Sequence, residues 1–120
     1  MYKRQDVKRY KIVYEAKAIA EEHLKEGVKA SEICREVESF LKKHGFKMVH
    51  ALGHGIGLQE HDFPQSLSLK SKFTLKENMC FAIEPAIYTA YGGIRIEDDY
   101  IIRKNKVRRL SKASAELSTL

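Results

Sequence analysis

The segment from His50 to His61 constrains the fold more than any other part of the chain, because glycines occupy three alternate positions within it. Gly53, Gly55 and Gly57 each lower helix propensity by about 1 kcal/mol relative to alanine, so a stable helix cannot form here. In an extended segment, glycine commonly marks a position where another backbone or a ligand comes close. The segment is therefore predicted to be extended chain or loop.

Three of the five histidines of the chain, His50, His54 and His61, lie in this segment. On an extended or looped backbone their side chains are free to point into one shared space, which favours a metal site or a proton-transfer site. The alternative is that each histidine is an ordinary polar side chain that hydrogen bonds to its neighbours. The segment alone does not decide between these interpretations, which depend on whether carboxylates elsewhere complete a site.

Composition restricts the class of protein. The 120 residues suffice for one small domain, and an apolar fraction of 43% is typical of a soluble globular chain. No apolar run approaches the roughly 20 residues of a membrane span, and the basic start leads into an amphipathic segment rather than a signal peptide. Cys34 and Cys80 lack CxxC spacing and are interpreted as free thiols, so we expect a cytoplasmic protein.

The first residues, 1–5, differ in character from those that follow. Their sequence matches the translation of a sequencing-transposon end, so we interpret residues 1–5 as a non-native start. Residues 6–120 are then the domain proper, and we expect the natural chain to continue upstream.

The order of apolar and polar residues predicts two helices followed by strands. The first helix is predicted from Asp6, as its N-cap, to about Lys25, and the second from about Ala30 to Gly45. A polar loop is expected over 65–76. The predicted strand segments are 78–83, 86–88 and 94–102, then 107–110 after a turn at Asn105-Lys106, with a weak helical turn over 110–120.

The net charge of +6 permits binding to nucleic acid or to an acidic partner without requiring it. Six basic residues crowd the predicted C-terminal hairpin. They lack interleaved aromatic residues, so a charged edge that resists aggregation is the first interpretation and a nucleic-acid patch the second. These residues are Arg103, Lys104, Lys106, Arg108, Arg109 and Lys112.

Two glutamates stand at or near the ends of apolar strands, where an unpaired carboxylate is costly. Glu84 precedes Pro85, which restricts its backbone to the extended region, and Glu97 lies within the alternating segment. A salt bridge between Glu97 and Arg95 is one explanation. The other is that Glu84, Glu97 and His54 converge on a cation. One imidazole with carboxylates suits manganese, iron, cobalt or zinc.

Three linked motifs carry a resemblance that extends over nearly the whole chain. His-Ala-Leu-Gly-His-Gly-Ile-Gly-Leu with the later Glu-His, then Phe-Ala-Ile-Glu-Pro, then Gly-Gly-Ile-Arg-Ile-Glu-Asp, resemble in order and spacing the pita-bread metallopeptidases. The last motif resembles the Xaa-Pro aminopeptidase and Xaa-Pro dipeptidase (prolidase) branch rather than the methionine aminopeptidases. The resemblance implies an α+β, creatinase/aminopeptidase-like fold, of which this chain is the second half: two N-terminal helices packed on a curved antiparallel sheet.

The resemblance also implies roles for individual residues. His54, Glu84 and Glu97 match metal ligands, with Glu84 also handling a proton. The implied cofactors are two divalent metal ions that activate water, with manganese expected and cobalt, zinc or iron as alternatives. His50 and His61 match the histidines that hold the substrate and stabilise the tetrahedral intermediate. Tyr88 and Arg95 match supporting positions beside the site.

Family members hold the metal pair with five side chains, two of which are aspartates upstream of the part matched here. The resemblance therefore implies hydrolysis of the peptide bond before proline by a longer protein, with the isolated chain inactive. The implied partners are a proline-containing peptide, the missing N-terminal half of the domain and, in the assembled protein, a second copy as a homodimer; neither a membrane nor nucleic acid is expected. Strands that lack their neighbours are expected to promote self-association.

Two other functions stay open at this point. A pita-bread protein that has lost catalysis could serve as a peptide- or protein-binding module, although retention of His54, Glu84 and Glu97 argues against it. Methionine aminopeptidase-type activity is the second alternative.

Overall fold

Two helices precede all the strands in the computed structural model, which describes residues 4–64 and 66–118. Helix α1 spans Arg4–His23 and helix α2 spans Ala30–Lys43. Both helices bury residues that recur every three or four positions, because this spacing places them on one helix face. The fully buried members are Val13, Ala16 and Ala20 in α1, and Ala30, Ile33, Cys34, Val37 and Leu41 in α2.

The two helices lie where the sequence predicts them, but both ends of α1 differ from the prediction. Asp6 lies inside the first turn and contacts Arg9 at 3.5 Å, so its assignment as the N-cap was wrong. Helix α1 also ends at His23, two residues before the predicted end. Gly27 and Gly45 follow the two helices with φ of +89° and +83°, as expected of glycines that end helices.

Among the described residues, seven short strands follow the helices, and all their described pairs are antiparallel. Five of them form a sheet in the order β2-β1-β3-β6-β7, and β4 and β5 form a two-stranded ribbon. The strands are β1 (Gly53–Gly55), β2 (Ser66–Leu67), β3 (Cys80–Ile83), β4 (Ala86–Thr89), β5 (Gly92–Arg95), β6 (Asp98–Arg103) and β7 (Lys106–Arg109).

The five-stranded sheet has two different faces. Phe81, Ile83, Tyr100 and Ile102 are fully buried against the helices in the hydrophobic core. Because side chains alternate along a strand, His54, Ala82 and Asp99 belong to the opposite face. The register pairs Ala82 with both His54 and Asp99, which brings three strands together on that face. The helices therefore cover one side of the sheet, and the polar residues of interest lie on the other.

The ribbon continues the sheet. The β3–β6 ladder pairs Ile83 with Asp98, and the β4–β5 ladder pairs Ala86 with Arg95. The residue numbers of a pair add up to the same value in both ladders, as for 83 with 98 and 86 with 95, so the register does not change between the ladders. One long hairpin therefore runs through β3, β4, β5 and β6, and it is interrupted at Pro85, which lacks a backbone donor.

Three local predictions fail in the C-terminal half. A short strand, β2, lies in the segment predicted as loop. The sequence did not indicate it, because two residues are too few to show a periodicity. The last turn lies at Lys104-Asn105, one residue earlier than predicted. Residues 110–118 contain no helical turn. Tertiary hydrogen bonds fix this tail instead: Tyr10 donates to the carbonyl of Ala115, and Ser111 accepts from the Asp99 amide at 2.7 Å.

Neither helix, in the part of the chain that the structure describes, is long and apolar enough to span a bilayer. Residues 1–3 of the predicted non-native start lie outside the described residues, whereas Arg4 and Gln5 form the beginning of α1.

Candidate active site

The histidine segment, the end of β3 and the end of β5 meet at a shallow cavity of about 310 Å³, called the site cavity below. Its walls come from residues far apart in sequence that the antiparallel sheet brings together. They are His50, Ala51, Gly53, His54, His61, Ser66, Glu84 and Arg95. A larger cleft of about 710 Å³ beside α1 contains no histidine, so volume alone does not identify the chemistry.

His54 lies on β1 and is only 8% exposed. Its ring nitrogen Nδ1 is 3.0 Å from the carbonyl oxygen of Gly55, which can only accept, so Nδ1 carries the proton. Nε2 is therefore the ring nitrogen that can offer a lone pair to a metal ion. This atom is 3.7 Å from Oε1 of Glu84, too far for a hydrogen bond.

That separation suits two ligands of one metal ion. Ligands about 2.1 Å from a first-row cation are roughly 3.4 Å apart at a tetrahedral angle and roughly 3.6 Å apart at a trigonal angle, close to the observed separation. The tautomer of His54 and its distance to Glu84 therefore fit one edge of a metal coordination sphere. The sequence prediction that these two residues share a site is consistent with this placement.

Glu84 occupies the predicted position at the strand end before Pro85. Its amide donates to the carbonyl of Leu52 at 2.8 Å, which fixes the backbone next to β1. Its second carboxylate oxygen lies 3.7 Å from Nη1 of Arg95. The ion pair that the structure describes for Arg95 is thus with Glu84, so the alternative salt bridge with Glu97 is not supported.

The position of Glu97 follows from the uninterrupted register. Ile96 donates its amide proton to the carbonyl of Pro85 at 3.3 Å, which is the same pairing as in the flanking ladders. Continued through the gap between the two ladders, this register sets Glu84 opposite Glu97. In a regular ladder, a non-hydrogen-bonded pair of this kind has Cα atoms about 4.5 Å apart and side chains on one face.

The Glu97 side chain itself is exposed. Over residues 4–64 and 66–118, no three side chains of histidine, cysteine, aspartate or glutamate are close enough together to hold a metal ion. The structure therefore brings His54 and Glu84 together and places the backbone of Glu97 opposite Glu84. The assignment of Glu97 as a ligand stays a prediction.

His50 is held at the rim of the site cavity. Its Nδ1 is 2.6 Å from the carbonyl oxygen of Ala51 and therefore carries the proton, so its Nε2 accepts a hydrogen bond from the hydroxyl of Tyr88 at 3.0 Å. The ring of Tyr88 lies across Gly93, where a Cβ would come within 2.5 Å of a ring carbon. The predicted supporting position of Tyr88 thus corresponds to a direct contact with a predicted substrate-binding histidine.

His61 stacks on His54. The ring centroids are 3.9 Å apart and the ring planes differ by 28°. All three histidines of the segment therefore line one cavity, which is the first of the two arrangements that the sequence left open.

Sequence reasoning missed Ser66 and Asp62. Ser66 lines the cavity because β2 pairs it with His54. It lies in a segment without periodicity, so only the β1–β2 pairing reveals it. Asp62 accepts hydrogen bonds within the loop that carries His61. The position of Asp62 directly after His61 was the sequence feature that could have indicated its contribution to this loop.

The comparisons with known proteins agree with this geometry. A sequence model of metallopeptidase family M24 matches residues 2–104, most of the chain. The chain belongs to metallopeptidase family M24. An uncharacterised peptidase of Methanocaldococcus jannaschii is 47% identical over 109 residues, covering 87% of this chain and 31% of the relative. A Xaa-Pro dipeptidase of Pyrococcus furiosus is 40% identical over 111 residues, covering 90% of this chain and 32% of the relative.

Solved structures of the family have the same fold. The prolidase of Pyrococcus furiosus superposes with a TM-score of 0.90 at 37% identity, covering 95% of this chain and 34% of that chain. The X-Pro aminopeptidase of Thermotoga maritima gives a TM-score of 0.91 at 30% identity, covering 97% and 34%. The predicted pita-bread fold and the resemblance to the Xaa-Pro branch are confirmed. The M24 chain spans about a third of the length of these relatives.

Proposed function

We propose that this M24 chain forms part of the catalytic centre of a longer peptidase that hydrolyses the bond before proline. The observation that carries the proposal is the pairing of His54 with Glu84 on the side of the sheet away from the helices, with Glu97 opposite Glu84 in register. Relatives named Xaa-Pro dipeptidases support the substrate class.

We propose two divalent metal ions, held by one imidazole and two carboxylates of this chain together with ligands from the rest of the longer protein. We propose manganese, with cobalt, zinc or iron as alternatives, because these ions accept nitrogen and oxygen ligands. His54 would contribute Nε2, and Glu84 and Glu97 would contribute carboxylate oxygens. When bound, such ions lower the pKa of water and polarise a carbonyl group.

The remaining residues of the cavity would act on the substrate. His61, whose ring stacks on that of His54, would donate to the oxygen of the scissile carbonyl as negative charge develops. Tyr88 holds His50 at the rim, so the two would position the peptide together. Glu84 would transfer a proton to the leaving proline nitrogen, while Arg95 steadies its second oxygen.

The residues present provide three of the five ligands that the resemblance implies, so we predict that the isolated chain does not hydrolyse peptides. A Xaa-Pro dipeptide incubated with the chain and added manganese should release no proline. Robust turnover would contradict the proposed need for ligands from elsewhere.

A chimaera tests the substrate class. This chain would replace the matching third of the Pyrococcus furiosus Xaa-Pro dipeptidase, and we expect hydrolysis of Xaa-Pro dipeptides. Glu84→Gln should lower kcat by about 10²–10⁴-fold, as is typical of general acid–base groups, and the exposed Glu77→Gln should leave it unchanged. A folded, metal-loaded chimaera that cleaves Xaa-Pro tripeptides instead supports an aminopeptidase. One that cleaves only N-terminal methionine supports the methionine aminopeptidase alternative.

A folded chimaera that takes up manganese but cleaves none of these peptides would instead support the non-catalytic peptide-binding alternative.

We also propose a cytoplasmic location. Both cysteines are free thiols, Cys34 is fully buried, and thiols of this kind are typical of reducing compartments. Labelling of both thiols in protein isolated without a reductant, after denaturation, would support this, and a disulfide would contradict it.

A further inference from the structure

The loop between β1 and β2 carries His61 and closes tightly on itself. The amide of Gly55 donates to the carbonyl of Pro64 at 2.8 Å, and the amide of Asp62 donates to the carbonyl of Gly55 at 3.0 Å. A Cβ on Gly55 would lie 2.0 Å from the Pro64 oxygen. The absence of a side chain at position 55 therefore allows the two ends of the loop to meet.

The carboxylate of Asp62 bridges the inside of this loop. One oxygen accepts from the amide of Phe63 at 2.8 Å, and the other accepts from the amide of Leu58 at 3.2 Å. Gly57 packs directly against the same carboxylate, and a Cβ there would lie 2.6 Å from Oδ2. Two of the three alternating glycines, at positions 55 and 57, therefore serve the closure of this loop.

Apolar burial holds the two ends of the loop, where Ile56 is half-buried and Pro64 is buried, but not its middle. Leu58 is fully exposed and Phe63 is 75% exposed, so these two side chains contribute little packing energy. His61 nevertheless lies in stacking contact with His54. Hydrogen bonds within the loop must supply most of the restraint, and those of Asp62 span it from residue 58 to residue 63.

We propose that Asp62 is a positioning residue that closes this loop and so keeps His61 stacked on His54. The effect of Asp62 on the ring contact does not depend on catalysis; only its consequence, that His61 is presented to the substrate, rests on the proposed function. Without the two bonds, the segment from Leu58 to His61 would keep the 3.2 Å hydrogen bond from the Gly57 amide to the Gln59 carbonyl and the ring stacking itself, and we expect it to sample many conformations.

The contact between the histidine rings can be measured without metal or substrate. In the wild-type chain, NMR should show a nuclear Overhauser effect between ring protons of His54 and His61. Asp62→Ala removes both acceptors and should abolish this effect. Asp62→Asn keeps one acceptor and should weaken it. The matched control Asp6→Ala removes a partly exposed carboxylate in α1 and should leave it unchanged.

The thermal unfolding midpoint separates positioning from general stability. It should change little in Asp62→Ala, because the loop is exposed and the core lies on the other side of the sheet. Gly57→Ala, which leaves Asp62 present but displaces its carboxylate, should also abolish the ring contact in a folded chain. Retention of the ring contact in folded Asp62→Ala, or its equal loss in Asp6→Ala, would overturn the proposal. Neither result would affect the proposed peptidase function, which is tested by hydrolysis.

Discussion

At the scale of single residues, the Glu84 carboxylate lies between two neighbours, with one oxygen 3.7 Å from His54 and the other 3.7 Å from Arg95. Glu84 and Glu97 interrupt apolar strands, and a carboxylate in such a place needs a partner, which pointed to a cation. Side-chain conformations set by three neighbouring strands decide which Glu84 oxygen faces His54. They also decide that Arg95 pairs with Glu84. No periodicity in the sequence contains that information.

Cys34 gives a residue-scale prediction for stability at high pH. Burial, with a smaller contribution from the nearby Glu38 carboxylate, raises the pKa of its thiol from 9.0 to about 12. The folded chain thus keeps a proton that the unfolded chain releases above pH 9, so the associated stability is present below pH 9 and is lost as the pH rises towards 12.

Urea unfolding at about pH 8 and about pH 10.5 should therefore show a fall in the free energy of unfolding. In Cys34→Ala the fall should be smaller, since that thiol no longer titrates. An equal fall in both proteins would show that other groups dominate the alkaline destabilisation.

At the scale of elements, the helices were predicted well because α2 and the core of α1 have clear helical spacing. The short strand β2 was missed, and the unbroken register through Pro85 was not foreseen. Both depend on pairing between segments distant in the chain. The reason for the alternating glycines also appears only in the structure, where each allows a different close approach.

Gly53 is essential for the pairing of β1 with β3. A Cβ at this position would lie 2.0 Å from the backbone oxygen of Ala82, which has no freedom to move away. Gly53→Ala should lower the free energy of unfolding by about 3 kcal/mol or more, at the upper end of overpacking effects. Urea denaturation measures this change.

Gly27→Ala is the matched control. Gly27 has a φ of +89°, and apart from its chain neighbours no atom lies within 4 Å of the position that a Cβ would occupy. Alanine there should therefore cost only about 1–2 kcal/mol, which comes from backbone strain. A smaller effect at position 53 than at position 27 would contradict the close approach of β1 and β3.

A buried ion pair links α1 to β6. Lys17 and Asp98 are 3% and 5% exposed and contact each other directly, and Arg109 lies 3.8 Å from the same carboxylate. Asp98→Ala should destabilise the chain by about 3–5 kcal/mol, because it leaves the Lys17 charge buried without its partner. Asp99→Ala, on the other face, should cost about 1 kcal/mol or less.

Thermal or urea unfolding of both variants provides the measurement. The double variant Lys17→Met with Asp98→Leu should regain most of the stability lost by Asp98→Ala, since it removes both buried charges. Equal stability losses in Asp98→Ala and Asp99→Ala would contradict the importance of the pair.

At the scale of the whole molecule, the M24 chain has a covered face and an open face. The helices cover one side of the sheet with the hydrophobic core, and the site cavity lies on the other. The expected self-association through open edges stays a prediction. Among the described strands, the edge strand β2 has two residues and the edge strand β7 carries Lys106, Arg108 and Arg109, features that discourage edge pairing.

The most direct test of the metal site uses manganese and the isotopically labelled 120-residue chain. Bound manganese broadens the NMR signals of nearby nuclei, so a titration maps its position without any need for activity. We predict that the signals of His54, Glu84 and Glu97 broaden first, and that Glu84→Gln weakens this effect. Broadening centred on His23 or His44, the two histidines outside the cavity, would contradict a metal centre built on these three residues. So would broadening of other carboxylate signals without any broadening at the site cavity.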